Sequence, residues 1–287
     1  MRGRLSDPRS LIFVQLEEAM NELLRHVALK LSRAESQALT LNASISDWSA
    51  NNPITAECNL RDDRLGYELV QNAFREAPPL DFWGLSFGEC IHNLRSALDN
   101  LAYALARVKR DPPLKPGKIS FPIHTDKALF HAKERHNIEQ WPTDAVRVLE
   151  SLQPFQRDGR PGNGNPADDS LLLLHSLNIT DKHRVPPITL IAPTELTHNV
   201  AVMFRSSEEA SLNVPPDVEV WGDALVPGVT LIRHRTVSPI ESVSGKYEAK
   251  AVVSIVRDGT PMPVGPLLIG LHGYTALVAS QFDAFFL

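Results

Sequence analysis

Between Arg9 and Asn52 the chain has neither glycine nor proline, and apolar residues recur through that stretch as Leu16, Met20, Leu23, Val27, Leu31, Ala34, Ala38, Leu41 and Ile45. Steps of three and four place these side chains on one face of an α-helix. The spacing therefore predicts a helix of about nine turns, and so narrow a stripe suits packing along a second long helix. Ser6-Asp7-Pro8 reads as its N-cap followed by proline in the first turn, and Asn51-Asn52-Pro53 ends it.

The second long helix is predicted over Gly88 to Arg110. Ile91, Leu94, Leu98, Leu101, Leu105 and Val108 form its apolar side, which must be buried. At about 100° per residue, Glu89, His92, Ser96, Asp99 and Tyr103 fall within roughly 80° of one another on the other side. Arg95 sits at the border, one turn from His92 and Asp99. An ordinary solvent face carries lysine and glutamate. This one carries two carboxylates, an imidazole, a hydroxyl and a phenol.

The rest of the chain divides by pattern. Residues 54–60 and 65–73 flank Asp62-Asp63-Arg64 and read as a β-hairpin with an exposed turn. Asp111-Pro112-Pro113 closes the central helix, and Phe121-Pro122-Ile123 reads as a short buried extended segment. Helices are expected over 127–138 and 143–153, with a Gly/Pro loop over 157–165 and a short leucine-rich helix from Ser170 to about Thr180 that ends in Asp181-Lys182-His183-Arg184. Beyond Pro186-Pro187 the pattern turns to strands at 188–192, 199–205, 217–221, 229–236 and 247–256, followed by a helix from about Tyr274 to Phe286. Helices first and strands later imply an α+β fold: long helices packed together, a C-terminal antiparallel sheet and a closing C-terminal helix. The expected organisation is a mainly helical region over 1–185, with its hairpin at about 54–73, and an antiparallel β region with the last helix over 186–287, forming one compact unit.

Charge is uneven. Residues 1–106 carry a net −4, residues 107–184 a net +3 and residues 185–287 a net −4, and the middle stretch holds five of the ten histidines. An anionic partner would dock on that basic middle, although it is not the footprint of a dedicated nucleic-acid binder. Cys58 and Cys90 are too few for a disulfide framework and are expected to be reduced and buried. No apolar run reaches the roughly 18 residues that a membrane span needs, and Leu11 to Val14 is too short for a signal peptide, so a soluble, cytoplasmic protein is expected.

Four segments together carry a resemblance: His92-Asn93-Leu94-Arg95-Ser96-Ala97-Leu98-Asp99-Asn100-Leu101-Ala102, Phe121-Pro122-Ile123, Leu152-Gln153-Pro154-Phe155 and Asp181-Lys182-His183-Arg184. Over roughly residues 15–190 the chain resembles a group of bacterial proteins to which no activity is assigned. The resemblance implies that the central helix and the Asp-Lys-His-Arg segment are shared features of the group.

Two readings of those features compete. In the functional one, Glu89, His92, Arg95, Asp99 and Tyr103 line a cleft in which His92, with Asp99 and Glu89, carries acid–base chemistry. Arg95, Tyr103, Lys182, His183 and Arg184 would then bind a phosphate-bearing anion, RNA among the candidates, with Arg184 as the bidentate fork. In the structural one, Arg95 and Asp99 form an i,i+4 pair, the other polar groups are struts, and the cations at the end of the short helix complement its dipole. Homo-oligomerisation through the long N-terminal helix belongs with that second reading.

Enzymatic alternatives have partial matches. HEPN ribonucleases carry arginine followed after four to six residues by histidine, and here Asn100 stands where the shortest version needs the histidine. Asparagine does not exchange a proton near neutral pH. Gly84-Leu85-Ser86-Phe87-Gly88 matches the G-x-S-x-G elbow of serine hydrolases, with Asp258 and His272 in the right chain order, but no parallel strand precedes it. His131 and His136 are about 140° apart on a helix and cannot share a metal, and the glycines of 159–165 lack the lysine of a phosphate loop. No cofactor or metal is expected.

Overall fold

The computed structural model describes residues 8–160, 163–183, 188–191, 198–215, 217–221, 224–249 and 251–286. The proposed N-cap at Ser6-Asp7 lies outside these. Helix α1 spans Pro8–Asn51, 44 residues and about twelve turns, longer than expected. Its stripe is buried at Val27, Ala34, Ala38 and Leu41 and continues to Trp48. Strands β1 (Ile54–Leu60) and β2 (Gly66–Gln71) form the expected antiparallel hairpin, with Cys58 opposite Leu69 and residues 62–65 exposed.

Helix α2 runs over Leu80–Lys109 and so begins eight residues before the expected Gly88. Ile91, Leu94, Leu98, Leu101 and Leu105 are fully buried, whereas Val108, in the last turn, is 39% exposed and leaves the apolar side one residue shorter than expected. Ala97, Ala102, Ala104 and Ala106 are buried as well, so α2 is enclosed on more than one side. Small side chains there let neighbours approach closely: Trp141 Nε1 donates to the Ala102 carbonyl at 2.8 Å.

Helices α3 (Lys127–Lys133), α4 (Arg135–Ile138) and α5 (Thr143–Ser151) follow, the first capped by Asp126 accepting from the Leu129 amide. Phe121 is buried as expected, in a segment without regular secondary structure. Helix α6 (Ser170–His183) extends through Asp181 to His183. At its start the Asp169 carboxylate accepts the Leu171 amide and pairs with Arg157 Nε at 2.9 Å.

The later strands are β3 (Ile188–Ile191), β4 (His198–Met203), β5 (Asp217–Val220), β6 (Thr230–Arg235), β7 (Ser242–Ala249), β8 (Val252–Arg257) and β9 (Thr260–Pro263), with the short helix α7 (Ser207–Ser211) after β4. The single strand expected at 247–256 is two, lying in different sheets. One antiparallel sheet has the order β4-β7-β1-β2-β6-β5, the other β3-β8-β9. The unexpected β9 pairs with β8 across Asp258-Gly259, both at positive φ (50° and 77°), the backbone that a two-residue Asp-Gly hairpin turn demands.

The last helix, α8, spans Val264–Ser280 rather than starting near Tyr274. Pro266 is tolerated in its first turn, and the cost of Gly270 and Gly273 is offset by burial of Val264, Leu268, Leu271, Thr275 and Val278, one stripe at steps of four and three. Among the described residues no helix is long and apolar enough to cross a membrane. The fold is α+β. It divides into two compact units, one of residues 1–39, 85–186 and 265–287, the other of residues 40–84 and 187–264. The units interleave along the chain: the hairpin shares a sheet with C-terminal strands, while α8 falls to the helical unit.

Candidate functional site

In the helical unit α1 and α2 run antiparallel along a polar seam. Lys30 Nζ donates to Asn93 Oδ1 at 2.8 Å, Asn93 Nδ2 donates to Gln37 Oε1 at 2.8 Å, and Gln37 Nε2 donates to Glu89 Oε2 at 2.7 Å. Cys90 Sγ lies 3.3 Å from the Ala34 carbonyl, and burial pushes its thiol up to about 12, an inert group. Cys58 is only half-buried, which departs from expectation.

The middle of α2 is a strut. Arg95 Nη2 donates to Asp99 Oδ1 at 2.8 Å and to the Phe121 carbonyl at 2.7 Å, while Asp99 Oδ1 accepts the Phe121 amide at 2.9 Å. One ion pair thereby satisfies both backbone groups of Phe121, whose ring is buried. Arg95 is 8% exposed, and burial holds its guanidinium below its usual value against the pull of Asp99 and Glu134. Glu134 accepts from Asn137 at 2.6 Å and pairs with His124 Nε2 at 2.9 Å. Gln153, fully buried, accepts the His124 amide and donates to the Pro122 and Leu149 carbonyls. The side chains of Arg95 and Asp99 are thus spent on holding the 121–124 segment.

At the N-terminal side of this strut α6 crosses α2. A Cβ added to Gly88 would lie 1.9 Å from Asp181 Oδ1, so glycine is what lets this carboxyl approach the helix. Burial pushes the Asp181 carboxyl up; His92 opposes the rise and Glu89 adds to it. Of the Asp-Lys-His-Arg segment, Asp181 is the residue whose side chain is described, and it lies against Gly88 of α2. Around it Glu89 and His92 are exposed, and Ser96 Oγ stands 3.4 Å from His92 Nε2. The side chains of Lys182 and His183, and all of Arg184, lie outside the described residues.

Tyr103 belongs elsewhere, about 16 Å along the axis from His92. With Asn100 and Arg107, at steps of three and four, it forms one wall of a groove of about 300 Å³ whose other wall is Glu22 and His26 of α1. Arg107 bonds Asp111 at 2.7 Å, and that hydrogen bond holds the guanidinium above its usual value, with smaller contributions from Tyr103 and Glu22. Glu22 in turn lies 3.9 Å from Arg25. The predicted set is therefore distributed over three places: Glu89 and His92 beside Asp181, Arg95 and Asp99 in the strut, Tyr103 in the groove.

The groove's Glu22, His26, Asn100 and Arg107 did not emerge from the sequence. Asn100, Tyr103 and Arg107 share a face by spacing, but their alignment with α1 depends on interhelical register.

The Gly84 to Gly88 pattern lies inside α2, so Ser86 is not presented on a strand-to-helix turn and the hydrolase elbow is absent. Arg95 and Asn100 of the ribonuclease-like spacing serve different sites, strut and groove. His131 sits on α3, 3.7 Å from Glu150, and His136 on α4. Among the described residues no three His, Cys, Asp or Glu side chains are grouped to hold a metal. No family model, curated protein or solved structure matches this chain.

Proposed function

We propose that this protein is a binding module for a phosphate-bearing anion, seated in the groove between α1 and α2. One observation carries the reading: Arg107, Tyr103, Asn100 and His26 converge on a concavity of about 300 Å³ at the lower end of small-ligand sites. All four side chains can donate hydrogen bonds to phosphate oxygens. Arg107 is available for the exchange. Its pair with Asp111 has side chains 34% and 53% exposed, and such surface pairs contribute only about 0–1 kcal/mol, so releasing Asp111 for a ligand costs little. Arg25 partly neutralises Glu22, the one carboxylate among the described residues of the groove wall.

The test is a titration with inorganic phosphate and uridine monophosphate, followed by calorimetry and by melting temperature. Ligand at about 100 times Kd should raise stability by about 2.7 kcal/mol. Arg107→Gln and Tyr103→Phe should abolish or weaken that rise while leaving the unliganded melting temperature nearly unchanged. Melting that is independent of both ligands would overturn the reading.

A further inference from the structure

The cations near the groove extend well past it. From Arg107 to Lys118 the chain carries Arg107, Lys109, Arg110, Lys115 and Lys118 against a single carboxylate, Asp111, in a protein whose net charge is −5. Arg110, Lys115 and Lys118 are exposed and form no ion pair with any described residue. Lys109 Nζ donates to the Glu139 and Trp141 carbonyls at 2.9 and 3.0 Å, and the Lys115 amide donates to Gln140 Oε1 at 2.9 Å. These contacts fasten the end of α2 and the following loop to the 139–141 segment, so the cations stand on a fixed surface. Between them Leu114 is 65% exposed.

Charge clusters elsewhere behave differently. On the sheet of the other unit Arg233 pairs with Glu68 and Glu219, Arg235 with Glu219 and Asp217, and Arg61 with Asp63, so each of these three arginines already faces a carboxylate. Unpaired cations raise the local potential; paired ones cancel. Of these cations only Arg107 lines the groove; Lys115 and Lys118 follow Pro112-Pro113 in the chain, so a strand with successive phosphates has more of them to engage than a single phosphate has.

We infer, building on the groove reading above, that the groove seats one nucleotide of a single-stranded nucleic acid whose neighbouring phosphates run over the cation-rich surface from Arg107 to Lys118. A single strand fits because its bases are unstacked and free to enter a concavity beside an aromatic ring, here Tyr103. A duplex keeps its bases stacked, so it offers the groove phosphates but no free base to set beside Tyr103. The exposed Leu114 side chain adds an apolar contact for a base further along the strand.

The experiment compares uridine monophosphate, single-stranded uridine oligomers of about 4 and about 12 nucleotides, a duplex of the longer length, and phosphatidylserine vesicles, all across a salt series. Affinity should rise at least about tenfold from monophosphate to the longer oligomer, with log affinity falling against log salt by about 0.7 per phosphate engaged. Lys115→Gln combined with Lys118→Gln should lower that slope and weaken the oligomer, yet leave the monophosphate unaffected. Circular dichroism melts confirm that the double variant is folded. Equal affinity for monophosphate and oligomer would overturn this inference while leaving the groove reading in place. Equal affinity for duplex and single strand, or binding to vesicles in preference to oligomers, would also overturn it. Absence of binding to every probe removes both.

Discussion

Two arginine–carboxylate pairs in this molecule have nearly the same length and opposite meanings. Arg95 meets Asp99 at 2.8 Å within the helical unit, and Arg233 meets Glu68 at 2.7 Å on the open face of the larger sheet. The Arg95 side chain is 10% exposed and Arg233 is 37% exposed. Around Arg95 there is little water to take over a lost partner, and its Nη1 has no hydrogen-bond partner among the described residues. Around Arg233 both water and a second carboxylate, Glu219, stand ready. Burial of the arginine decides which pair holds the fold together, not distance and not the carboxylates, of which Asp99 is 38% and Glu68 28% exposed. Arg107 and Asp111 are of the second kind, which is why that pair can give way to a ligand.

The largest effect expected is on the buried side. Asp99→Ala leaves the Arg95 guanidinium without its counter-ion and the Phe121 amide without an acceptor, and should cost about 3–5 kcal/mol in urea denaturation. A loss under about 1 kcal/mol would mean the strut is solvated, and the contrast with the sheet would collapse. Next comes Gly88→Ala. The added methyl collides with Asp181, and overpacking of this kind costs about 1–3 kcal/mol. Asp181→Ala in the same chain should restore most of the loss, a double-mutant coupling that no unrelated destabilisation would produce.

Asp181 also gives a pH-dependent prediction of intermediate size. Its folded pKa is raised, chiefly by burial, so between the ordinary carboxylate value and that raised value the native state binds more protons than the unfolded state. Stability should therefore fall as pH rises through that window, and Asp181→Asn should flatten this part of the profile. An unchanged slope in the variant, followed by melting temperature against pH, would assign the effect to other groups.

The long helices were legible because their periodicity is local: six residues of α2 declared the buried side, and five of them are buried as read. The errors have a common cause. The expected starts of α2 at Gly88 and of α8 near Tyr274 both came too late, because Gly84 lies ahead of the one and Gly265, Pro266, Gly270 and Gly273 ahead of the other, and local propensity disfavours glycine and proline in helices while tertiary packing overrides it. At Gly88 the glycine is what the approach of Asp181 requires. The α+β class followed from element order. That β1 and β2 join C-terminal strands in one sheet is a long-range pairing with no local signature. The polar face of α2 was recognised as unusual, but a helical wheel cannot say what lies opposite each residue. Phe121, Asp181 and His26 come from three different segments, and they divide that face into strut, crossing point and groove.

The smallest effect tests the exposed side of the comparison. Glu68→Gln removes one carboxylate from Arg233 but leaves a hydrogen-bond acceptor in place and Glu219 at 3.4 Å, so stability should change by no more than about 1 kcal/mol. Salt sharpens the distinction further. At about 1 M ionic strength the screening length falls to about 3 Å, which should erase whatever Glu68→Gln costs at low salt, while more of the cost of Asp99→Ala persists because the Arg95 side chain is only 10% exposed. Urea melts of both variants at low and high salt make the comparison directly. If salt erodes the two losses equally, Arg95 is as accessible to the solvent field as Arg233, and burial is not what separates the pairs.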